Sequence, residues 1–326
     1  MASKTVARAC FLGRRSFSGC LRAQSTGAQS SPYSAPETAI AKHKPSTLKE
    51  IYAKYKNGTP ISVVTAHDYI SGKWADAAPS CDAVLIGDSL AMVAVGYPTT
   101  LEIPFDEFYY HCASVCRAVK SKYIIADLPY GSFESSVEKC IESSMRLMKL
   151  GKICSIKIEG AYEHEESISR LIKLGIPVTG HIGLKPQRFN GLEGFRVQGK
   201  TVDSALQILK EALFLQETGI SLLVLEGIPH EIASYITTKL SIPTIGIGAG
   251  NGTSGQVLVQ ADLLGMHTGR GPKFVKRYED LYGKGVAAIE KYAQEVSASA
   301  FPDNAVHTYP MKTKVLEEFL EQAEKI

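Results

Sequence analysis

Four acidic residues stand where apolar runs of the sequence end, and they are the first candidates for chemistry. The runs read AVLIGD, YIIAD, SIKIE and LLVLE, and their acids are Asp88, Asp127, Glu159 and Glu226. Any one of them could cap the helix that follows, because a side-chain oxygen satisfies free N–H groups of a first helical turn. The four together favour a shared site instead. Asp88 and Asp127 could hold a hard divalent cation such as Mg²⁺ through oxygen ligands, with Glu159 reaching the ion or one of its waters.

A lysine accompanies these acids. Lys157 lies two positions before Glu159, so both side chains point to the same face of a strand. An ammonium among acids can hold a substrate carboxylate or keto oxygen, whereas an amine of lowered pKa could form a Schiff base. The neighbouring acids hold the proton of Lys157 more tightly, which disfavours the Schiff base. A buried ion pair without a catalytic role is the plainer alternative.

Two further residues suggest proton chemistry. His181, in VTGHIG, ends another apolar run and either polarises a carbonyl or is a satisfied structural histidine. Glu226 ends a run that is otherwise wholly apolar, and a carboxylate in so desolvated a place is suited to act as a general base. We therefore predict that Glu226 abstracts a proton, with a structural role as the alternative.

Eight apolar runs and the segments between them must position these side chains. The predicted strands cover residues 61–65, 83–87, 123–126, 155–158, 178–181, 222–225, 244–246 and 262–265. Helical periodicity falls at 47–55, 70–78, 105–119, 135–150, 164–174, 202–218 and 231–240, with a short helix after Asn251. The runs are continuously apolar rather than alternating, which indicates a parallel sheet covered on both faces.

Eight strand–helix units predict an α/β protein of the (β/α)8 TIM barrel type. An open doubly wound sheet is the alternative, but it would more often carry a dinucleotide fingerprint after its first strand, and the sequence has none there. Active sites of such barrels lie at the C-terminal ends of the strands, so the four acids should converge. The glycine-rich segment GIGAGNGTSGQ at 246–256 should follow the seventh strand and either bind phosphate or pack closely around another ligand.

Composition excludes several classes of function. The chain has 326 residues, 44% of them hydrophobic, and a formal charge of +3. Residues 1–36 hold five basic residues and no acid, so the rest is slightly acidic and a nucleic-acid partner is not expected. No run approaches the ~20 apolar residues of a membrane span, so no membrane partner is expected either. The Arg- and Ser-rich segment 1–36 predicts a mitochondrial transit peptide, with a disordered tail as the alternative. The seven scattered cysteines indicate no disulfide framework.

Several longer motifs carry a family resemblance. In order they are TAHDY, LIGDSLAMVAVGYPTT, ADLPYGS, IKIEG, GHIGLKPQ, GFRVQGK, LLVLEGIP, IPTIGIGAGNGTSGQVLV and PKFVKRY. Over residues 45–310 the chain resembles the ketopantoate hydroxymethyltransferases (3-methyl-2-oxobutanoate hydroxymethyltransferases). The resemblance implies a phosphoenolpyruvate mutase-like barrel, dependence on Mg²⁺, and pantothenate synthesis. The implied reaction transfers a one-carbon unit from 5,10-methylenetetrahydrofolate to 3-methyl-2-oxobutanoate, a small 2-oxo acid, to give 2-dehydropantoate.

The resemblance also implies roles for individual residues. Asp88 and Asp127 would ligate the metal, and Glu159 would support it through water. Glu226 would be the base, with Lys157 and His181 as its catalytic companions. The residues implied to contact the substrate are Asp88, Ser89, Asp127 and Lys157, together with His181. A ring-based homo-oligomer, a decamer, is the implied assembly. Residues 311–326 extend beyond the usual end of the family, and their apolar stripe predicts an amphipathic helix for an interface or surface docking.

Two alternatives remain at this point. A phosphoenolpyruvate mutase or isocitrate lyase-like C–C lyase would carry a cysteine-bearing lid loop, which is not seen after IKIEG or ADLPYG. A catalytically silent, metabolite-binding barrel would be favoured by loss of a metal-ligand acid or of Glu226, and all of these are present.

Overall fold

Eight parallel strands close into a barrel in chain order, with the last strand paired to the first. The computed structural model describes residues 45–191 and 196–326. The strands are β1 Ile61–Thr65, β2 Ala83–Ile86, β3 Tyr123–Asp127, β4 Ser155–Glu159, β5 Val178–Gly183, β6 Leu222–Glu226, β7 Thr244–Ile247 and β8 Gly255–Leu258. The predicted TIM barrel is thus confirmed.

Ten α-helices lie in the described residues, and most of them follow the strands and cover the outside of the barrel. They are α1 Leu48–Lys56, α2 Tyr69–Ala77, α3 Phe105–Ala118, α4 Val137–Met148, α5 Glu165–Lys173, α6 Val202–Thr218, α7 His230–Lys239, α8 Gln260–Leu263, α9 Leu281–Ser297 and α10 Thr313–Ala323. Short turns add a π turn at Ala91–Val95 and 3₁₀ turns at Tyr162–His164 and Pro186–Arg188.

Alternate strand residues belong to two hydrophobic layers. In β3, Tyr123 and Ile125 pack in the barrel interior, whereas Ile124 and Ala126 pack against the helices. Since side chains alternate along a strand and both faces are covered, both sets must be apolar. This is why the strands read as continuous apolar runs.

Helix α1 closes the N-terminal end of the barrel. Ile51 is 2% exposed and joins the interior cluster. The hydroxyl of Tyr52 donates to the carbonyl of Ser221 just before β6, at 3.0 Å, and that of Tyr55 donates to the carbonyl of Leu240 before β7, at 3.3 Å. The opposite, C-terminal end is therefore the one available for a site.

Helix α6 shows how local signals fix the bounds of an element. Its predicted range, 202–218, is the observed one. Thr201 begins the helix with a capping box, in which its side chain accepts the N–H of Ser204. Gly219 ends it at φ 102°, a left-handed conformation that glycine adopts without a Cβ penalty.

The eighth strand was predicted in the wrong place. Residues 262–265 were expected to form it, but β8 is Gly255–Leu258, and 260–263 are the helix α8. The short helix predicted after Asn251 is absent from this described part of the chain, and the glycine-rich loop shrinks to 248–254. Gly255 packs so closely that a Cβ would overlap the carbonyl of Ile61, and a strand that begins on glycine gives little apolar signal.

The last two helices lie outside the barrel wall. All residues of α9 and α10 are at least partly exposed, including the apolar ones. The helix α10 lies within the segment predicted to be an amphipathic extension. Among the residues that the structure describes, none of the helices has the length and apolar character to cross a membrane, and the five cysteines are free thiols.

Candidate active site

The barrel register brings the predicted site residues together at the C-terminal ends of the strands. Asp127 on β3 is level with Lys157 on β4, and Glu159 is level with His181 on β5. The side chains here are almost inaccessible, since Lys157 and Glu159 are each 4% exposed. Charges this deeply buried require partners.

Lys157 is the cationic centre of the site. Its Nζ lies 3.2 Å from Asp127 Oδ1 and 3.4 Å from Glu159 Oε1. Burial lowers the pKa of Lys157, but the charges of Asp127 and Glu159 outweigh it, and the net pKa is raised. The side chain therefore stays an ammonium, which argues against the Schiff-base alternative.

His181 lies between two carboxylates. Its Nδ1 is 3.2 Å from Glu159 Oε1, and its Nε2 is 3.2 Å from Glu226 Oε2. Burial and the ammonium of Lys157, 3.1 Å from Nδ1, lower the pKa of His181, while the two acids raise it to about 9. Nε2 makes no hydrogen bond within the described ranges, so its closeness to Glu226 is an ion-pair contact rather than a hydrogen bond.

Asp88 and Asp127 form a close acidic pair. Asp127 Oδ2 accepts the main-chain N–H of Asp88 at 2.9 Å. Burial raises the pKa of Asp88 well above its usual range, and the charges of Asp127 and Glu159 raise it further. Burial likewise raises the pKa of Asp127, against the opposing charge of Lys157. The single ammonium of Lys157 therefore does not offset the burial of this pair.

The site fits a divalent cation held by few protein ligands. Four carboxyl groups face only two cationic groups, and Asp127 Oδ1 has no hydrogen-bond donor within the described ranges, although Lys157 lies close by. No group of three or more His, Cys, Asp or Glu side chains in those ranges forms a ready-made metal centre. A cation would thus use Asp88 and Asp127, with substrate and water completing its coordination.

Both carboxylate oxygens of Glu159 are already occupied by protein donors. Oε1 faces Lys157 and His181, and Oε2 accepts the main-chain N–H of Gln187 at 3.1 Å. Burial raises the pKa of Glu159, but the charges of Lys157 and His181 lower it to about 2 overall. The sequence left two roles open, direct ligation of an ion and support through water, and both oxygens of Glu159 already have protein partners.

Sequence reasoning missed Gln187. This residue is 6% exposed and lies in the 3₁₀ turn after β5. Its side-chain Nε2 donates to Asp88 Oδ2 and to the carbonyl of Leu128, each at 2.8 Å. A search for charged strand ends could not find it, but the polar residue that closes the motif GHIGLKPQ was a usable signal.

Ser89 lies at the mouth of the site, next to Asp88. It is half-buried, and its carbonyl accepts the N–H groups of Met92 and Val93 at 3.0 and 3.1 Å as the π turn begins. A Cβ on Gly87 would lie 3.1 Å from Ser89 Oγ and 3.7 Å from an oxygen of Asp127. The hydroxyl of Ser89 and the carboxylate of Asp127 thus both lie next to Gly87.

Glu226 is the most open of the four acids, with a side chain 15% exposed. Its main chain is held firmly, since Leu184 N–H donates to the carbonyl of Glu226 at 2.8 Å. Gly183, at φ 94°, lies so close that a Cβ would overlap the same carbonyl. Glu226 is thus less desolvated than the apolar run of β6 led us to expect, while its main chain is firmly positioned.

The glycines of the loop 248–254 approach protein side chains closely. A Cβ on Gly248 would lie 2.7 Å from Phe274, and one on Gly252 would overlap Ser234. Tight packing within the protein therefore accounts for these two glycines without a bound phosphate.

Comparisons with known proteins agree on one family. A family model described as ketopantoate hydroxymethyltransferase matches residues 45–304. A relative from Emericella nidulans, named 3-methyl-2-oxobutanoate hydroxymethyltransferase, is 48% identical over 86% of this chain and 80% of its own length. A rice relative, named 3-methyl-2-oxobutanoate hydroxymethyltransferase 2, mitochondrial, is 44% identical over 84% of this chain and 70% of its own.

Solved structures of similar fold are much more distant in sequence. A phosphonopyruvate hydrolase complexed with oxalate and Mg²⁺ has a TM-score of 0.53 at 9% identity, covering 86% of this chain and 97% of that one. A 2,3-dimethylmalate lyase, described as a PEP mutase/isocitrate lyase superfamily member, has a TM-score of 0.51 at 14% identity, covering 85% and 96%. These similarities support the fold alone.

Proposed function

Because the chain belongs to the ketopantoate hydroxymethyltransferase family, we propose that it transfers a hydroxymethyl group to 3-methyl-2-oxobutanoate. The one-carbon unit comes from 5,10-methylenetetrahydrofolate, and with one water the products are 2-dehydropantoate and tetrahydrofolate, in pantothenate synthesis. The observation that carries the proposal is the contact between His181 and Glu226, 3.2 Å apart, beside the acidic pair and Lys157.

Glu226 acts as the base. Its carboxylate takes the proton from C3 of the substrate, so the C–H bond breaks, an O–H bond forms on Glu226, and the electron pair delocalises onto the 2-oxo oxygen. C3 then bonds to the methylene carbon, both bonds from that carbon to nitrogen break, and water supplies the hydroxyl. The proton taken from C3 and the remaining proton of the water go to the two nitrogens, which gives tetrahydrofolate. His181 orients the carboxylate of Glu226 from 3.2 Å away.

The cationic side chains bind the 2-oxo acid. Lys157 keeps its proton, so it attracts the substrate carboxylate or oxo oxygen as a fixed positive charge. Ser89 offers a hydroxyl at the mouth. Glu159 holds Lys157 and His181 in register from 3.4 and 3.2 Å, which keeps both cations aimed at one small ligand.

Asp88 and Asp127 would hold a divalent cation, Mg²⁺ by our proposal. When bound, the ion would supply Lewis-acid stabilisation of charge that develops on the 2-oxo oxygen. The excess of carboxyl groups and the unsatisfied Asp127 Oδ1 in the described site support this assignment.

Exchange of the C3 hydrogen tests the proposal directly. We expect NMR to detect deuterium incorporation at C3 of 3-methyl-2-oxobutanoate when the protein and Mg²⁺ are present. Adding 5,10-methylenetetrahydrofolate should then yield 2-dehydropantoate. A protein that neither exchanges this hydrogen nor forms the product would overturn the proposal and favour a silent, metabolite-binding barrel.

A mitochondrial location is part of the proposal. The acid-free, Arg- and Ser-rich segment 1–36 lies outside the described residues, and its composition and the printed name of the rice relative support import. Cell fractionation should find the protein in mitochondria, whereas a purely cytosolic signal would contradict this.

We also propose a homo-oligomer, with a decamer as the expected form. Exposed apolar side chains along α9 support a subunit interface there, since they are between 45% and 70% exposed: Tyr282, Val286, Ile289, Tyr292 and Val296. Light scattering coupled to gel filtration should give ten times the chain mass. A monomeric mass would rule out this assembly.

A further inference from the structure

We propose that Gln187 is a positioning residue that fixes the Asp88 carboxylate for cation binding through its hydrogen bond to Oδ2. The inference rests on the proposed function, because it concerns how the proposed cation is held. The sequence analysis gave no role to Gln187, although the residue closes the motif GHIGLKPQ.

Gln187 connects the ends of three strands from a loop that follows a fourth. Its Nε2 donates to Asp88 Oδ2 after β2 and to the carbonyl of Leu128 after β3, each at 2.8 Å. Its main-chain N–H donates to Glu159 Oε2 at the end of β4, at 3.1 Å. A surface turn would not need three such contacts, and this residue is only 6% exposed.

The orientation of the amide is fixed by its partners. A carboxylate oxygen and a main-chain carbonyl are both acceptors, so the NH₂ end must face Asp88 and Leu128. A cation cannot occupy the same side of Asp88 Oδ2 without displacing this donor. Partners that orient ligating carboxylates in this way are a regular part of metal sites.

The turn that carries Gln187 is held independently of any ion. Arg188 forms an ion pair with Glu163 in the loop after β4, and Leu184 N–H donates to the carbonyl of Glu226 at 2.8 Å. The main chain of this turn therefore holds the side-chain amide of Gln187 next to Asp88 before a cation binds. This is preorganisation, because no group has to be recruited when the ion arrives.

Calorimetric titration of the full chain with MgCl₂ alone tests the inference. Gln187→Met keeps the length and the main-chain N–H but removes the side-chain donor. We expect its Kd for Mg²⁺ to rise about tenfold. This is the low end of the range that is typical when a residue that orients a metal ligand is lost. Gln198→Met is the matched control, because Gln198 lies in the same loop and its Nε2 donates to the carbonyl of Arg196 at 2.9 Å.

The outcomes separate this inference from the proposed function. If the natural protein binds no Mg²⁺, the cation part of the proposed function is wrong, and the inference falls with it. If the natural protein binds Mg²⁺ and Gln187→Met binds it equally or more tightly, the inference alone is wrong.

Urea unfolding without Mg²⁺ separates positioning from a purely structural role. A structural role would lower the stability of Gln187→Met and leave its Kd unchanged, which would overturn the inference. If Gln187→Met does not fold, Gln187→Asn serves instead. Its amide is one methylene shorter and should fail to reach Asp88, with the same rise in Kd.

Discussion

Asp127 accepts the main-chain N–H of Asp88 at 2.9 Å, so the backbone after one strand positions the carboxylate at the end of the next. The bond uses only Asp127 Oδ2. Its Oδ1 is left near Lys157, without a donor in the described residues, and is the oxygen that we propose for the cation.

Asp127→Asn should separate the effect of this hydrogen bond from the effect of the negative charge on Asp127. The amide oxygen of Asn can still accept the N–H of Asp88, so the fold should be kept, whereas loss of the negative charge should weaken Mg²⁺ binding by at least about tenfold. Titration calorimetry measures the effect. Asp82→Asn is the control, because Asp82 pairs with Lys54 near the N-terminal end of the barrel, and an equal loss there would contradict the assignment.

Glu226→Gln should remove the base while it preserves shape. We expect C3 deuterium exchange to slow by about 100-fold or more, with 3-methyl-2-oxobutanoate still bound. Glu231→Gln alters an exposed acid on α7, whose side chain is 69% exposed, and should exchange at the natural rate. Unchanged exchange in Glu226→Gln would exclude Glu226 as the base.

Gly183→Ala should lower the free energy of unfolding by about 3 kcal/mol or more, because a Cβ would meet both a left-handed backbone and the carbonyl of Glu226. Gly175→Ala measures the free-energy cost of the left-handed backbone alone. Gly175 has φ 81°, and a Cβ there would meet no described atom within 4 Å, so a cost of about 1 kcal/mol is expected. Urea denaturation compares them, and equal costs would show that the overlap is relieved.

Lys157→Met should destabilise the protein by about 3 to 5 kcal/mol, because it leaves buried acids without their cation. Adding Glu159→Gln should recover part of this loss by removing one of those charges. Urea unfolding of the single and double variants without Mg²⁺ measures both. A double variant less stable than Lys157→Met would show that Glu159 stabilises the fold mainly through other partners, such as Gln187.

Much of the barrel could be predicted because most of its strands are marked by a local run of apolar residues. Continuous apolar runs identified seven strands within a few residues, and parallel topology then required their acidic ends to meet. The strand β8 was misplaced because Gly255–Leu258 is short and begins on a glycine, while the apolar run that follows it is helical.

The contacts of Gln187 could not be predicted in the same way. They depend on where a 3₁₀ turn places a neutral side chain relative to strands 28 to 99 residues away in the chain. The partners of Glu159 were predicted in part. Lys157 was expected beside it, whereas the contact with Gln187 comes from the same unpredicted turn.

The helix α1, which closes the N-terminal end of the barrel, sets how far the chain can be shortened from its N-terminus. Thr47 begins α1, and Tyr52 and Tyr55 tie it to the base of the wall. A polypeptide shortened to begin at Pro45 would keep the whole of α1 and its N-cap. An affinity tag or fluorophore attached to this N-terminus would lie at the N-terminal end of the barrel. It would therefore not obstruct the entry of substrate at the C-terminal ends of the strands.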